Sequence, residues 1–210
     1  MKKSILLLAV LLLVASLGAR AQHWKRGRGL RGNHNISLGV KGGAAFSSFV
    51  GDDAGRPEYL TGPQAGVFAN ISLSQLIAFQ PEVLYSRKGY EFNRLDQRLK
   101  LSYLDVPLAF HVNTDGFFLE VGPQLGFLLN AKAEAGSTSS DVKRSYNTLD
   151  VGYLGGLGYQ FKEGLGIGAR YNGGFTNVPL ADLVTPTITI QRRQRNSSIQ
   201  LYLTYSFNAN

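Results

Sequence analysis

The sequence predicts an all-β fold, an eight-stranded antiparallel up-and-down transmembrane β-barrel. In eight separate segments, apolar residues alternate with polar or small ones at a period of two. The connections between these segments alternate between short turns and long polar stretches, as they do in outer-membrane barrels. After residue 21 no apolar run has the length of a transmembrane helix. A membrane location therefore requires a closed barrel, in which every backbone group is paired.

Residues 1–21 have the pattern of a cleaved signal peptide. Two lysines precede an apolar run from Ile5 to Val14, and Ala19-Arg20-Ala21 places small residues where a signal peptidase recognises them. This run is shorter than the ~20 residues that cross a bilayer, which favours a signal peptide over a membrane anchor. We therefore expect an exported protein whose mature chain begins at Gln22.

Residues 22–35 are basic and rich in glycine, and we expect a flexible N-terminal tail there. The whole chain has a net charge of +8, and three of its basic residues lie in the leader. An exported, modestly basic domain is expected to meet anionic lipid headgroups and no nucleic acid. The chain has no cysteine, which excludes a disulfide-stapled scaffold.

The first three strands are predicted over Ile36 to Phe46, Pro63 to Leu73 and Ile77 to Ser86. Each has about the ten residues that a tilted strand needs to cross a bilayer. A long polar connection, 47–62, separates the first two strands, and only three residues separate the second from the third. Because proline cannot donate a hydrogen bond to a strand ladder, we expect a β-bulge at Pro81.

Five further strands complete the predicted barrel. The tight turns Asn113-Thr114-Asp115-Gly116 and Lys162-Glu163-Gly164 alternate with long polar connections. The strands are predicted over Tyr103 to Val112, Phe117 to Leu129, Leu149 to Phe161, Leu165 to Asn172 and Ser198 to Phe207, and the long connections over 89–100, 130–148 and 173–195. Residues 36–207 are thus assigned to the barrel, and 208–210 to a short C-terminal tail.

Glycines are concentrated on the polar face of these strands. An eight-stranded barrel has an interior just wide enough for side chains, so small residues are needed there. Gly42 and Gly155 are exceptions on the apolar face. The ten glycines on the polar face are Gly39, Gly43, Gly66, Gly122, Gly126, Gly152, Gly156, Gly158, Gly166 and Gly168. The pattern favours a narrow, packed interior over a wide pore.

The polar face also carries six charged residues: Lys41, Glu82, Asp105, Glu120, Asp150 and Arg170. An isolated charge inside a narrow barrel costs several kcal/mol, so such charges must be paired or hydrated. We expect an interior charge network in which Lys41 and Arg170 pair with some of the carboxylates. A proton relay or an acid–base pair is the functional alternative for the same residues.

Aromatic residues on the apolar face collect near the strand ends, as in the two interfacial girdles of membrane barrels. One group lies toward the long connections: Phe46, Tyr85, Phe127 and Tyr171. The other lies toward the short turns: Phe110, Phe117, Tyr159, Phe161, Tyr205 and Phe207. This two-level placement predicts the height of the lipid-facing belt.

Several short motifs between Asn35 and Phe207 resemble the PorT-like outer-membrane β-barrel family of Bacteroidetes, which share the small OmpX/OmpA-type architecture. The motifs are Leu38-Gly39-Val40-Lys41-Gly42-Gly43, Phe79-Gln80-Pro81-Glu82-Val83-Leu84-Tyr85-Ser86 with Lys88-Gly89, Tyr103-Leu104-Asp105-Val106-Pro107-Leu108, Glu120-Val121-Gly122-Pro123-Gln124 and Asp150-Val151-Gly152. Phe207 resembles the terminal aromatic residue that the barrel-insertion machinery recognises, although Asn208-Ala209-Asn210 follow it. The resemblance implies an outer-membrane location and biogenesis through that machinery.

We expect a structural or interaction role through extracellular loops, with both termini in the periplasm. Outer-membrane lipid, lipopolysaccharide and envelope or extracellular proteins are the candidate partners. In the last long connection, Arg192, Arg193 and Arg195 are a candidate contact for lipopolysaccharide phosphates. A solvated basic loop is the alternative interpretation of these three arginines.

Other functions have less support in the sequence. A secretion-system accessory follows from the family resemblance alone, and a filled, charged interior argues against a channel. For a lipid A hydrolase or protease, none of His23, His34 and His111 has a partner placed beside a rim nucleophile, so we expect no catalysis. We also expect no metal and no cofactor. A soluble periplasmic barrel is a further alternative.

Overall fold

A computed structural model of the protein describes residues 36–51, 58–92, 97–135, 138–178, 183–184, 189–190 and 194–207. Its strands are β1 (Ile36–Val50), β2 (Glu58–Ser72), β3 (Ile77–Phe92), β4 (Gln97–Thr114), β5 (Phe117–Ala135), β6 (Thr138–Asp141), β7 (Leu149–Gln160), β8 (Leu165–Gly174), β9 (Leu183–Val184), β10 (Thr189–Ile190) and β11 (Arg195–Ser206). A 3₁₀ turn (Lys143–Ser145) lies between β6 and β7. Within these ranges no helix has the length and apolar character needed to cross a membrane.

Eight of the strands form a closed antiparallel barrel, which confirms the predicted fold class. The order around the ring is β4, β3, β2, β1, β11, β8, β7 and β5, and β5 pairs with β4 to complete it. The first and last barrel strands are neighbours, with Val40 opposite Tyr205. Closure leaves no free edge on these strands, so their backbone groups are satisfied within the sheet.

The two ends of the barrel differ. At the short-turn end, residues 73–76, 115–116 and 161–164 connect neighbouring strands. Asp115 and Gly116 have φ values of 49° and 87°, the left-handed pair that a two-residue hairpin turn favours. Both ends of the barrel chain meet here, since the Phe207 amide donates to the Leu38 carbonyl at 2.8 Å. The opposite end, which carries the other connections, is called the long-loop end below.

Three of the predicted long connections are wrong in extent, because strands occupy most of each. β1 runs to Val50 and β2 begins at Glu58, while β3 runs to Phe92 and β4 begins at Gln97. The connection predicted over 130–148 likewise contains the end of β5 and all of β6. Apolar alternation stops where the outward side chains become polar, but backbone pairing does not depend on apolar side chains.

The predicted β-bulge at Pro81 is also wrong. The register of β3 with β4 is unchanged across this position, from Pro81 opposite Leu108 to Leu84 opposite Asp105. A missing N–H removes a ladder bond without requiring an inserted residue. The register shifts are elsewhere: one in β2–β3 between Tyr59 and Gln64, and one in β4–β5 beside Ser102.

Aromatic rings lie across from glycines inside the barrel, which confirms the packing role predicted for the glycines. Phe68 is opposite Gly39 and Phe118 is opposite Gly158. A Cβ atom added to either glycine would lie 2.3 Å from the Cζ atom of the facing ring, well inside van der Waals contact. The outward Gly42 and Gly155, by contrast, have no heavy atom within 4 Å of an added Cβ.

Candidate functional site

The candidate site is the polar interior of the barrel. Period-two alternation points one side chain inward from each of four strands: Lys41 of β1, Glu82 of β3, Glu120 of β5 and Arg170 of β8. All four side chains are almost fully buried. No two of these strands are neighbours in the ring, so their side chains meet across the lumen.

Arg170 joins the two glutamates through both edges of its guanidinium group. Its Nη2 and Nη1 atoms donate to Glu82 Oε1 and Oε2 at 2.8 and 3.0 Å, and its Nε and Nη2 atoms donate to Glu120 Oε1 and Oε2 at 2.9 and 2.6 Å. Lys41 Nζ lies 3.1 Å from Glu82 Oε1. Two cations thus balance two carboxylates; we call Lys41, Glu82, Glu120 and Arg170 the lumen tetrad.

Neutral side chains complete the hydrogen bonding of the lumen tetrad. Tyr202 donates its hydroxyl to Glu120 Oε1 at 2.8 Å, and its ring centroid lies 3.6 Å from Lys41 Nζ. Gln80 Nε2 donates to Glu82 Oε1 at 2.9 Å. Bidentate charged hydrogen bonds and a cation–π contact offset part of the cost of burying these ions. Sequence reasoning missed Tyr202, whose signal was an aromatic residue placed opposite Gly43 on the polar face.

Asp105 belongs to a second cluster, separate from the lumen tetrad. Its Oδ1 atom accepts from Lys88 Nζ at 2.8 Å and its Oδ2 atom accepts from Ser86 Oγ at 2.5 Å. The Lys88 ammonium also lies 4.8 Å from the Tyr103 ring centroid. Sequence reasoning missed Lys88 because the third strand was ended at Ser86, although the same alternation places Lys88 inward.

Asp150 stands in a third position and contacts neutral groups. Its carboxylate accepts from Thr176 Oγ1 at 2.7 Å and from Asn196 Nδ2 at 2.6 Å. The six charged residues taken together from the sequence are therefore distributed over three places. Four form the lumen tetrad, Asp105 pairs with Lys88, and Asp150 is bound by polar side chains.

Toward the long-loop end the interior becomes apolar. A cluster of buried apolar side chains lies there, which we call the apolar plug: Phe49, Leu99, Leu101, Tyr103, Leu128, Ala131 and Val178. On β4 and β5, Lys100 and Lys132 are opposite one another on the outer surface. Along β4 and β5 the distribution of side chains is therefore reversed. Near the short-turn end apolar side chains face outward and polar ones inward, whereas near the long-loop end polar side chains face outward and apolar ones inward.

The outer surface beyond the apolar belt is polar and charged. Lys100 Nζ lies 2.6 Å from Glu134 Oε2, and this hydrogen bond lowers the pKa of the Glu134 carboxyl. Arg195 is exposed at the start of β11, opposite Val50. Arg192 and Arg193, the other two candidate lipopolysaccharide contacts, lie outside the described residues.

No catalytic arrangement is formed by the histidine that the structure describes. His111 is buried near the short-turn end, where its ring stacks on Phe118 with centroids 4.9 Å apart. Its Nε2 atom lies 3.4 Å from Glu120 Oε2, inside the barrel. His23 and His34 lie outside the described residues. Within the described ranges, no cluster of three or more histidine, cysteine or carboxylate side chains has metal-binding geometry.

Aromatic side chains form two rows on the outer surface. Near the short-turn end, Phe117 and Tyr159 are opposite one another with ring centroids 4.8 Å apart, and Tyr159 also contacts Phe161. Near the long-loop end, Tyr153 packs against both Tyr171 and Phe175, the latter at 5.0 Å. Sequence reasoning did not place Tyr153 and Phe175 in this row.

Comparison with known proteins identifies the class of barrel. The sequence pattern of a family described as outer membrane protein beta-barrel domain matches residues 20–179. No curated protein sequence matches the chain.

Solved structures of outer-membrane proteins resemble the barrel to different degrees. Neisserial surface protein A (NspA) is 16% identical over 82% of this chain and 99% of its own, with a TM-score of 0.56. Ail of Yersinia pestis, solved with the heparin analogue sucrose octasulfate, is 15% identical over 83% of this chain and 99% of its own, with a TM-score of 0.47. The N-terminal barrel domain of Pseudomonas aeruginosa OprF is 13% identical over 83% of this chain and all of its own, with a TM-score of 0.40.

Proposed function

Since this chain belongs to the outer membrane protein beta-barrel domain family, we propose that it is a non-conducting, non-catalytic outer-membrane barrel with a structural or interaction role at its long-loop end. The observation that carries the proposal is the filled interior. The lumen tetrad joins β1, β3, β5 and β8 across the lumen, and the apolar plug fills the interior nearer the long-loop end. Because the lumen tetrad and the apolar plug both obstruct passage along the barrel axis, we place the function of the molecule on its surface.

The proposed orientation places both termini in the periplasm and the long-loop end outside the cell. Short turns on the periplasmic side and longer connections outside are the general arrangement of outer-membrane barrels. Extension of β3, β4 and β5 beyond the apolar belt supports this orientation, because it raises an ordered, polar-walled structure away from the lipid. β6 adds to the same wall through its pairing with β5.

Lipopolysaccharide is the proposed lipid partner of the long-loop end, through Arg192, Arg193 and Arg195. Arginine pairs well with phosphate, and lipopolysaccharide phosphates lie at the level of the outer interface. The exposed position of Arg195 at the start of β11 supports the proposal. Reversing all three charges is expected to lower barrel stability in lipopolysaccharide but not in neutral detergent; equal stability of both proteins in lipopolysaccharide would count against contact.

The proposed absence of catalysis is supported by the surroundings of His111. It is enclosed by Phe118 and Glu120 inside the barrel, and Glu120 already accepts from Arg170 and Tyr202. A general base needs a nucleophile or substrate proton within hydrogen-bond reach. The position of His111 inside the barrel therefore supports a packing role and not a catalytic role at the rim of the barrel.

The PorT-like resemblance is proposed as a family assignment within these barrels, without a secretion role. Four of its motifs each contribute one lumen carboxylate: Glu82, Asp105, Glu120 and Asp150. These residues satisfy interior hydrogen bonds, so the shared motifs are explained by folding of the barrel. Envelope or extracellular proteins are proposed as partners of the loops, whose sequences lie outside these motifs.

Planar-bilayer recording tests the proposed closed interior. We expect refolded protein to show no steady single-channel openings, because the lumen tetrad and the plug both block the axis. Heat-modifiable gel mobility of the same preparation provides the control that the barrel is folded and inserted. Steady openings from folded barrels would contradict the proposal.

A further inference from the structure

One buried carboxylate of the barrel has no cationic partner among the described residues. The basic and acidic side chains buried inside are Lys41, Lys88, Arg170, His111 and four carboxylates. The lumen tetrad is neutral as a group, and Lys88 is matched by Asp105 at 2.8 Å. Asp150 is the carboxylate that remains, and it forms no salt bridge with any residue that the structure describes.

Asp150 is buried near the long-loop end and is bound by neutral donors. Its side chain on β7 is 8% exposed, and its hydrogen bonds come from Thr176 and Asn196. A buried carboxylate without a countercharge carries a large desolvation cost, which two neutral hydrogen bonds offset only in part. The position therefore favours a positive ligand.

A small cavity lies beside this carboxylate. Its polar lining comes from Asp150, Gln124, Asn172, Asn196, Ser198 and Lys88. The volume of the cavity, counted for the centre of a water molecule, is about 10 Å³. This is the volume that one water molecule requires. The cavity thus admits a single water or a single dehydrated ion.

Two oxygen atoms of the lining side chains have no donor. Asn172 Oδ1 and Asn196 Oδ1 are buried without a hydrogen-bond partner among the described residues. The amide nitrogens of both side chains are already used, by Gln124 Oε1 for Asn172 and by Asp150 for Asn196. Unpartnered acceptors beside an unpaired carboxylate call for a ligand that is positive and attracts oxygen.

We propose that this cavity binds one monovalent metal cation, of the size of Na⁺ or K⁺, through Asp150, Asn172 and Asn196. Carboxylate and amide oxygens suit hard cations. A single positive charge matches the single unpaired carboxylate of the cavity, whereas a divalent ion would leave an excess of positive charge there. Lys88 also lines the cavity, but Asp105 and the Tyr103 ring hold its ammonium. A water molecule would satisfy the amide oxygens without balancing Asp150.

The cation would add a link between three strands, two of which, β7 and β11, are already joined by the Asn196–Asp150 hydrogen bond. Asp150 lies on β7, Asn172 on β8 and Asn196 on β11. Thr176, which donates to Asp150, leads into Val178 of the apolar plug. Bound cation would therefore stabilise the long-loop end, independently of any partner of the loops.

Thermal unfolding at constant ionic strength tests the site. Refolded protein in neutral detergent is followed by circular dichroism while choline chloride is replaced by NaCl or KCl. We expect the Tm to rise with the metal concentration, since a ligand that binds only the folded state stabilises it by mass action. An unchanged Tm would overturn the proposal, and would instead favour water in the cavity with Lys88 as the distant countercharge.

Matched variants locate the effect. Asp150→Asn is expected to abolish the dependence of Tm on Na⁺ or K⁺, whereas Asp141→Asn, which removes an exposed carboxylate on β6, is expected to retain it. Gly174→Ala preserves the charge but places a Cβ atom 3.3 Å from Asp150 Oδ1, so we expect a weaker response at each metal concentration. A full response in both Asp150→Asn and Gly174→Ala would place the cation elsewhere.

Discussion

At the residue scale, the contribution of a glutamate to stability depends on its surroundings. Glu82 and Glu120 are held by Arg170 inside the barrel, whereas Glu134 pairs with Lys100 on the outer surface. An exposed pair contributes little because water solvates both ions. Breaking a buried pair is costly, because the remaining charge loses the partner that offset most of its desolvation.

Arg170 is accordingly the residue whose loss should cost most. We expect Arg170→Met to destabilise the barrel by about 3–5 kcal/mol, because two buried carboxylates lose their bidentate donor. Urea unfolding in lipid vesicles measures the change in free energy. The control is Lys100→Met, which breaks a half-exposed pair on the outer surface and is expected to cost much less than Arg170→Met.

A compensating variant separates charge from shape at the same position. Adding Glu120→Gln to Arg170→Met removes the carboxylate that has lost its arginine and keeps the Lys41–Glu82 pair, so we expect it to recover part of the lost stability. If this double variant were less stable than Arg170→Met alone, lost packing and not lost charge pairing would explain the effect.

At the element scale, a single strand passes through two environments. The lower part of β5 exposes Leu119 and Val121 and buries Glu120, while its upper part exposes Lys132 and buries Ala131. A register shift with β4 adjusts the alternation, since Ser102 is opposite Asn130 but Tyr103 is opposite Leu128. An extra residue at a bulge moves the following side chains to the other face.

Two glycines of β7 test how tightly the strands pack. A Cβ atom at Gly158 would lie 2.3 Å from Phe118 Cζ, but one at Gly155 meets nothing within 4 Å. We expect Gly158→Ala to destabilise the barrel by about 1–3 kcal/mol through overpacking. Gly155→Ala is expected to be neutral or stabilising by up to about 1 kcal/mol, through the unfolded chain.

Denaturant midpoints of these two variants in the same vesicles give the comparison. Because both glycines lie on one strand, strand propensity is matched and the facing ring is the difference. Equal effects of the two substitutions would show that the Phe118–Gly158 contact does not limit packing.

At the scale of the whole molecule, the barrel is a cylinder with an apolar outer belt and a polar interior that ends in an apolar plug. The belt is flanked by aromatic rows, with Phe117 and Tyr159 in one and Tyr153 and Phe175 in the other. Above the belt the strands have the ordinary pattern of a water-soluble β-structure. The molecule therefore combines a membrane anchor with an ordered extramembrane wall.

Cysteine labelling tests the proposed orientation of this cylinder. The natural chain has no cysteine, so each introduced thiol is the single target. In intact cells we expect a membrane-impermeant maleimide to label Ser139→Cys at the long-loop end and not Lys162→Cys at the short-turn end. Both sites are exposed, so both should react after lysis. The reverse pattern in intact cells would invert the orientation.

The sequence by itself determined the number of barrel strands, the inward and outward faces, and the small residues of the interior. These follow from a period of two and from side-chain size, which are local properties of the chain. It did not determine where strands end beyond the belt, because Lys100 and Lys132 break the apolar pattern without breaking the backbone ladder.

Only the tertiary structure decided how the buried charges are partnered. Arg170 and Glu82 are 88 residues apart and lie on strands that are not neighbours, so no sequence spacing joins them. The closed ring, with its particular registers, brings them together and leaves Asp150 among neutral groups. Alternation fixes which side of the sheet a residue faces, but closure of the barrel fixes what lies across from it.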